Sequence, residues 1–128
     1  MPVVLQIALG GAIGAACRHL MGVQVSRLAG TGFPWATLAV NVLGSFVMGL
    51  AVILLLRRGD AGLQHLAPFL TTGILGGFTT FSAFSLETVL LIERGRPALA
   101  LAYAGGSVVL GVAAFAVGLW LLRGWAGS

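Results

Sequence analysis

Lysine is absent from this 128-residue chain, and only three acids occur: Asp60, Glu87 and Glu93. With seven arginines, charged residues reach only 8%, against about 25% in a soluble domain. So few charges cannot cover a water-facing surface. That excludes an ordinary cytosolic enzyme and a disordered chain. The arginines are scattered and form no polybasic run, so the net charge of +4 does not point to nucleic acid. Cys17 is the only cysteine, which excludes a disulfide framework and a cysteine metal site. The first apolar stretch lacks a basic leading segment, so a cleaved secretory signal is not expected. Gly14-Ala15-Ala16-Cys17 is only a partial match to a lipoprotein cleavage site. His19 and His65 sit near span ends, and no nucleophile–base pair is evident, so the protein is not expected to be an enzyme.

What remains is apolar. Hydrophobic residues make up 59% of the chain, and the mean hydropathy is +1.06. A helix that spans a bilayer needs about 20 apolar residues. Residues 36–56, 66–86 and 98–122 are free of charge, and so is the opening segment to Cys17. The expectation is a single all-α transmembrane domain over 1–128, with four spans at 3–26, 36–56, 66–92 and 98–122. Gly30, Gly32 and Pro34 separate the first pair. Arg57, Arg58, Gly59, Asp60 and Gly62 separate the second pair, and Glu93 to Pro97 the third. Pro34, Pro68 and Pro97 stand near span starts, where a missing N–H costs least. Trp35, Trp120 and Trp125 stand near span ends, as interfacial anchors do.

The orientation signal cancels. Cytoplasmic loops normally carry the arginine excess. One side would carry Arg57, Arg58 and Arg123, and the other Arg27, Arg94 and Arg96. Arg18, near the end of span one, shifts the balance by one charge. Such a chain could insert both ways and form an antiparallel homodimer in the bilayer. A fixed orientation set by a partner is the alternative.

Small residues recur four apart, as at Gly10 and Gly14, Gly11 and Ala15, Ser45 and Gly49, Ser107 and Gly111, and Ala114 and Gly118. In lipid these are packing seams. Polar groups inside spans are more telling. Asn41 lies in span two and Ser107 in span four, four residues after Tyr103. Span three holds Gly73, Gly76 and Gly77, then Thr79 and Thr80, a poor helix former in mid-membrane. A break there would free carbonyls suited to a hard cation. Beyond it, Phe81 and Phe84 share one helical face beside Ser82 and Ser85. Aromatic ring edges carry positive partial charge, and hydroxyls donate hydrogen bonds. Together they suit a dehydrated small anion. Spans one, two and four hold no acid, which favours an anion or a neutral solute over a proton-coupled cation.

At these residues the chain resembles the Fluc (CrcB) family of fluoride channels. The resemblance rests on Gly10-Gly11-Ala12-Ile13-Gly14-Ala15-Ala16-Cys17-Arg18 in span one and Thr37-Leu38-Ala39-Val40-Asn41-Val42-Leu43-Gly44-Ser45-Phe46 in span two. The strongest match is Gly76-Gly77-Phe78-Thr79-Thr80-Phe81-Ser82-Ala83-Phe84 in span three. It implies an antiparallel, dual-topology homodimer with two pathways and a third helix broken near the bilayer centre. It also implies passive, selective fluoride export across a bacterial plasma (inner) membrane.

Residue by residue, the resemblance implies a fluoride pathway along Asn41, Phe81, Phe84, Ser107 and Tyr103. Ser82, Ser85 and Thr88 would extend the hydroxyl track, and Arg18 would sit at a vestibule. Backbone carbonyls of Gly76 and Thr79 from two subunits would hold one structural Na⁺ that is not transported. Three positions depart from the pattern. Ala36 stands where many members have Gly, His19 where an aromatic is common, and Gly111 where some have a second hydroxyl. The alternatives are a small dual-topology multidrug or cation exporter and a structural subunit of a membrane complex. The first would want a deep acid in span one, which has Gln6 instead.

Overall fold

In the computed structural model, residues 1–56 and 64–126 are described, so the expected loop Arg57 to Gly62, within 57–63, lies outside the described residues. Among the described residues all regular structure is helical: α1 (Val3–Ala29), α2 (Trp35–Leu56), α3 (Pro68–Leu75), α4 (Gly76–Phe78), α5 (Phe81–Glu93) and α6 (Pro97–Ala126). Among the described residues, four stretches are long and apolar enough to cross a membrane: Val3–Ala29, Trp35–Leu55, Pro68–Glu93 and Pro97–Gly124. With almost no charge in these stretches, the protein is a multi-pass membrane protein.

The helix ends follow from local chemistry. α1 stops at Gly30, whose φ of 81° suits a residue without a Cβ. Its N–H donates to the Ser26 carbonyl at 2.9 Å. Pro34 precedes α2, and Pro68 and Pro97 open α3 and α6. The turn between α5 and α6 uses Gly95 at φ 75°. Arg94 N–H there donates to the Leu90 carbonyl at 2.9 Å.

α3 is π-helical, a wider winding that appears mostly in short pieces. It places Gly73 and Leu75 in the interior. After α4 the backbone leaves the helical region. Thr79 has φ −85° and ψ 159°, and Thr80 has φ −149° and ψ 119°. α5 then starts on Thr80, whose hydroxyl accepts from Ala83 N–H at 3.2 Å as an N-cap.

Two seams hold the bundle. α2 packs along α6, and α1 packs along α3 and α4. Glycines permit both. A Cβ on Gly49 would strike the Phe115 carbonyl, and one on Gly118 the Phe46 carbonyl. On the other seam, a Cβ on Gly14 would meet the Phe78 backbone nitrogen at 2.8 Å. One on Gly77 would meet the Gly11 carbonyl oxygen at 2.6 Å. Backbone thus lies on backbone, the approach that drives helix association in lipid.

Candidate functional site

Asn41 is the organising residue. It projects from α2 toward the extended pair Thr79–Thr80. Its Nδ2–H donates to the Thr80 carbonyl at 3.0 Å, and Thr80 N–H donates to its Oδ1 at 2.8 Å. This two-point clamp satisfies a peptide that no regular helix serves. An amide left unpaired at this depth would be costly.

The clamp has a consequence for neighbouring carbonyls. In an α-helix Thr80 N–H would be aimed at the Gly76 carbonyl, and Ala83 N–H at the Thr79 carbonyl. Here the first goes to Asn41 and the second to the Thr80 hydroxyl. The Gly76 and Thr79 carbonyls are thereby released from helical pairing. Arg18 Nε–H, from α1, donates to the Gly77 carbonyl at 3.2 Å.

Beside the clamp lies a cavity of about 250 Å³. Asn41, Phe81, Phe84 and Ser107 line it, together with Ser45, Thr79, Thr80 and Gly111. The structure therefore brings four of the expected pathway residues together from three helices. The Ser107 hydroxyl is buried and has no hydrogen-bond partner among the described residues. A buried hydroxyl with nothing to donate to is unusual in a packed interior.

The rings form a ladder. Phe81 and Phe84 centroids are 5.6 Å apart, and Phe84 and Tyr103 are 5.2 Å apart. Tyr103 and Phe33 stand edge to face with centroids 5.4 Å apart, and Phe33 and Trp35 centroids are 4.6 Å apart. Exposure changes along it. Tyr103 is 1% exposed and Phe81 is 77% exposed.

A wider cavity of about 580 Å³ opens on the other side of Thr80. Arg18, His19, Arg27, Thr37 and Glu87 contribute to its walls. Thr80 borders both cavities. Glu87 is held by two hydroxyls: Thr37 donates to its Oε1 at 2.7 Å, and Tyr103 to its Oε2 at 3.0 Å.

The remaining hydroxyls on α5 are occupied locally. Ser85 donates to the Phe81 carbonyl at 3.0 Å, and Thr88 to the Phe84 carbonyl at 2.7 Å. Such back-bonding is the usual fate of a helical Ser or Thr. Ser82 sits 3.3 Å from the Thr80 hydroxyl. None of the three lines the 250 Å³ cavity. Among the described residues, no cluster of His, Cys, Asp or Glu could hold a metal ion.

Residues 5–119 match the family described as CrcB-like protein, Camphor Resistance (CrcB). The chain belongs to the CrcB family. It is 57% identical over 122 residues to the fluoride-specific ion channel FluC of Ruegeria sp. (strain TM1040), covering 94% of each chain. It is 56% identical over 120 residues to the protein of that name from Paracoccus denitrificans (strain Pd 1222), again covering 94% of each. The FluC protein of Agrobacterium fabrum (strain C58 / ATCC 33970) is 53% identical over 117 residues, 91% of this chain and 93% of that one.

Three residues that line these cavities have no role in the pathway expected from the sequence: Ser45, Glu87 and Thr37. Ser45 looks like a packing residue because Gly49 follows it at small-residue spacing. It is also four residues after Asn41, on the same helical face, and that spacing is the signal that finds it. Glu87 looks like a lone acid past the middle of its span. Its position three residues after Phe84 puts it on the ring face. Thr37 carries no sequence signal for its bond to Glu87, because the two are fifty positions apart.

Proposed function

We propose that the protein is a fluoride-selective channel that lets the anion leave the cell passively across the bacterial inner membrane. The observation that carries this reading is the unpaired Ser107 hydroxyl in the Asn41–Phe81–Phe84 cavity. A small anion entering there loses water. It gains a hydroxyl donor and the positive edges of two rings. The names of the relatives point to the same anion.

The wide cavity would collect anions. Arg18 and Arg27 outweigh Glu87 there, and a positive cleft in low dielectric raises local anion concentration. The Thr37 and Tyr103 hydroxyls take up both oxygens of Glu87. Asn41 has a positioning role in this scheme, because both ends of its amide hold Thr80. Ser82, Ser85 and Thr88 would contribute by shaping α5, and Tyr103 by carrying the ring ladder inward. Hydrogen fluoride enters cells as a neutral acid and dissociates. The negative interior then drives the anion out, with no ATP and no proton coupling.

The working unit we propose is an antiparallel, dual-topology homodimer, with the third span broken near the bilayer centre at Thr79–Thr80. Balanced arginines support opposite insertion, and the strongly exposed Phe81 supports a second copy beside it. The Gly76 and Thr79 carbonyls, freed as described, suit a hard cation. Two copies would offer four such oxygens to one structural Na⁺, which would supply fixed positive charge at the centre.

Efflux from liposomes, followed with a fluoride electrode and with chloride as control, tests the function. Fluoride should leave and chloride should stay. Equal release of both, or no release, would sink the proposal.

A further inference from the structure

We infer that Arg18 is a positioning residue for the carbonyls at the third span's extended segment, and not only a positive charge in the wide cavity. The inference rests on the sodium reading above and deepens it.

Glycine fixes carbonyl direction poorly, because its backbone angles range widely. Gly76 and Gly77 are adjacent, so something outside the segment must orient their peptide planes. α1 supplies it one turn apart. Gly14 lies directly against the Phe78 backbone nitrogen. Four residues later, on the same face, Arg18 Nε–H donates to the Gly77 carbonyl at 3.2 Å. The donor is charged, and such bonds are about twice as strong as neutral ones. On the far side, Asn41 fixes the Thr80 peptide at both its N–H and its C=O. The stretch between Gly77 and Thr80 is thus pinned at each end by a different helix. The Thr79 carbonyl lies inside that interval, and the Gly76 carbonyl is one peptide before it. Peptide planarity passes the constraint along. Arg18 also keeps the Gly77 carbonyl, one of the two between the ligands, from turning to compete for the ion.

The test uses the full chain. The probe is Na⁺ itself, exchanged for N-methylglucamine at constant ionic strength. The readout is the Na⁺ concentration at the midpoint of the rise in thermal unfolding temperature. Arg18→Met, which keeps an apolar stem and removes the donor, should need at least about tenfold more Na⁺. Arg18→Lys should fall between it and the parent. Arg27→Gln removes a positive charge from the same cavity and should leave the midpoint in place. Hydrogen exchange of the peptide 76–85 should quicken in Arg18→Met, while exchange in α6 stays unchanged. Should Arg18→Met fail to fold, Arg18→Lys gives the same two readings. A parent protein with no Na⁺ midpoint would overturn the sodium reading and this inference together. A parent with a clear midpoint, matched by the Arg18 variants and with unchanged exchange at 76–85, overturns the role of Arg18 alone. A shift of equal size in Arg27→Gln also overturns it, because cavity charge would then explain the effect.

Discussion

The two seams of the bundle use the same device for different ends. Along α2 and α6, Gly49 and Gly118 bring two regular helices into backbone contact. Along α1, Gly10 and Gly14 do the same against α3 and α4. Around these two glycines the first seam adds only apolar packing, while Ser45 and Ser107 further along it line the 250 Å³ cavity. The second carries a backbone that becomes extended at Thr79, so it must also supply hydrogen-bond partners. Arg18 on α1 provides one, and Asn41 reaches in from α2 to provide the others. Close approach of small residues therefore says that helices touch. The polar side chains beside the contact say which contact holds chemistry.

The largest expected effects come from pitting one seam against the other. Gly49→Val would drive a side chain into the Phe115 backbone, where no flexible group can yield. Overpacking of this kind costs about 1–3 kcal/mol or more. We expect loss of the monodisperse species in size-exclusion chromatography. Asn41→Asp should do the reverse. It keeps an acceptor for Thr80 N–H but sets a carboxylate against the Thr80 carbonyl. Folded protein should be recovered, with fluoride flux at least about tenfold lower. If both variants give folded protein with lowered flux, the distinction between a packing seam and a working seam fails.

The rings sharpen the contrast at smaller scale. Phe84 touches both Phe81 and Tyr103, whereas Phe81 is largely exposed in the single chain. Phe84→Ile should lower flux and also stability, by about 1 kcal/mol for the lost ring contacts. Phe81→Ile should lower flux with stability unchanged. Denaturation and efflux measured on the same preparations read both quantities. Equal stability losses would make the two rings a single packing unit. Below these stands Tyr103→Phe, which preserves the ladder and removes one donor to Glu87. A net hydrogen bond is worth about 0.5–1.5 kcal/mol, so a drop of that size in stability is expected, with fluoride selectivity over chloride retained.

How much of this was legible in the sequence differs between the same two regions. Four spans follow from charge-free length alone, and the helix starts follow from Pro34, Pro68 and Pro97. Gly73, Gly76, Gly77, Thr79 and Thr80 mark residues that resist a regular α-helix. The winding of α3 carries no such mark, because π-helical turns depend on tertiary fit. Asn41 stands out as an amide among valines, but its partner does not. The sequence suggests an ion or a hydroxyl, and the structure gives the Thr80 backbone. Ser82 and Ser85 share a face on paper, yet the Ser85 donor goes back to the Phe81 carbonyl. The Ser107 hydroxyl on α6 is buried with no hydrogen-bond partner among the described residues. Which hydroxyl remains free is decided by three-dimensional pairing, which no spacing rule reports.

The smallest effect tests the edge of the cavity, where the chain departs from the family pattern. Gly111 lies one turn after Ser107 on α6 and lines the same cavity. A Cβ there would sit 3.7 Å from the Ser45 hydroxyl oxygen, an ordinary contact. Gly111→Ser should therefore fold as the parent does. The helix should gain slightly, since Gly in a helix interior costs about 0.5–1 kcal/mol relative to Ala. Ser45 already supplies a hydroxyl from α2 at this place, so the new one adds a second donor to an occupied position. Fluoride flux should change by less than about threefold, since a hydrogen bond of modest net strength is at stake. Gly111→Ala adds the Cβ without the donor and separates the two contributions. If Gly111→Ala alone reduces flux strongly, the open volume beside Ser45 matters more than its hydroxyl. If only Gly111→Ser alters flux, the donors at this end of the cavity contact the ion directly.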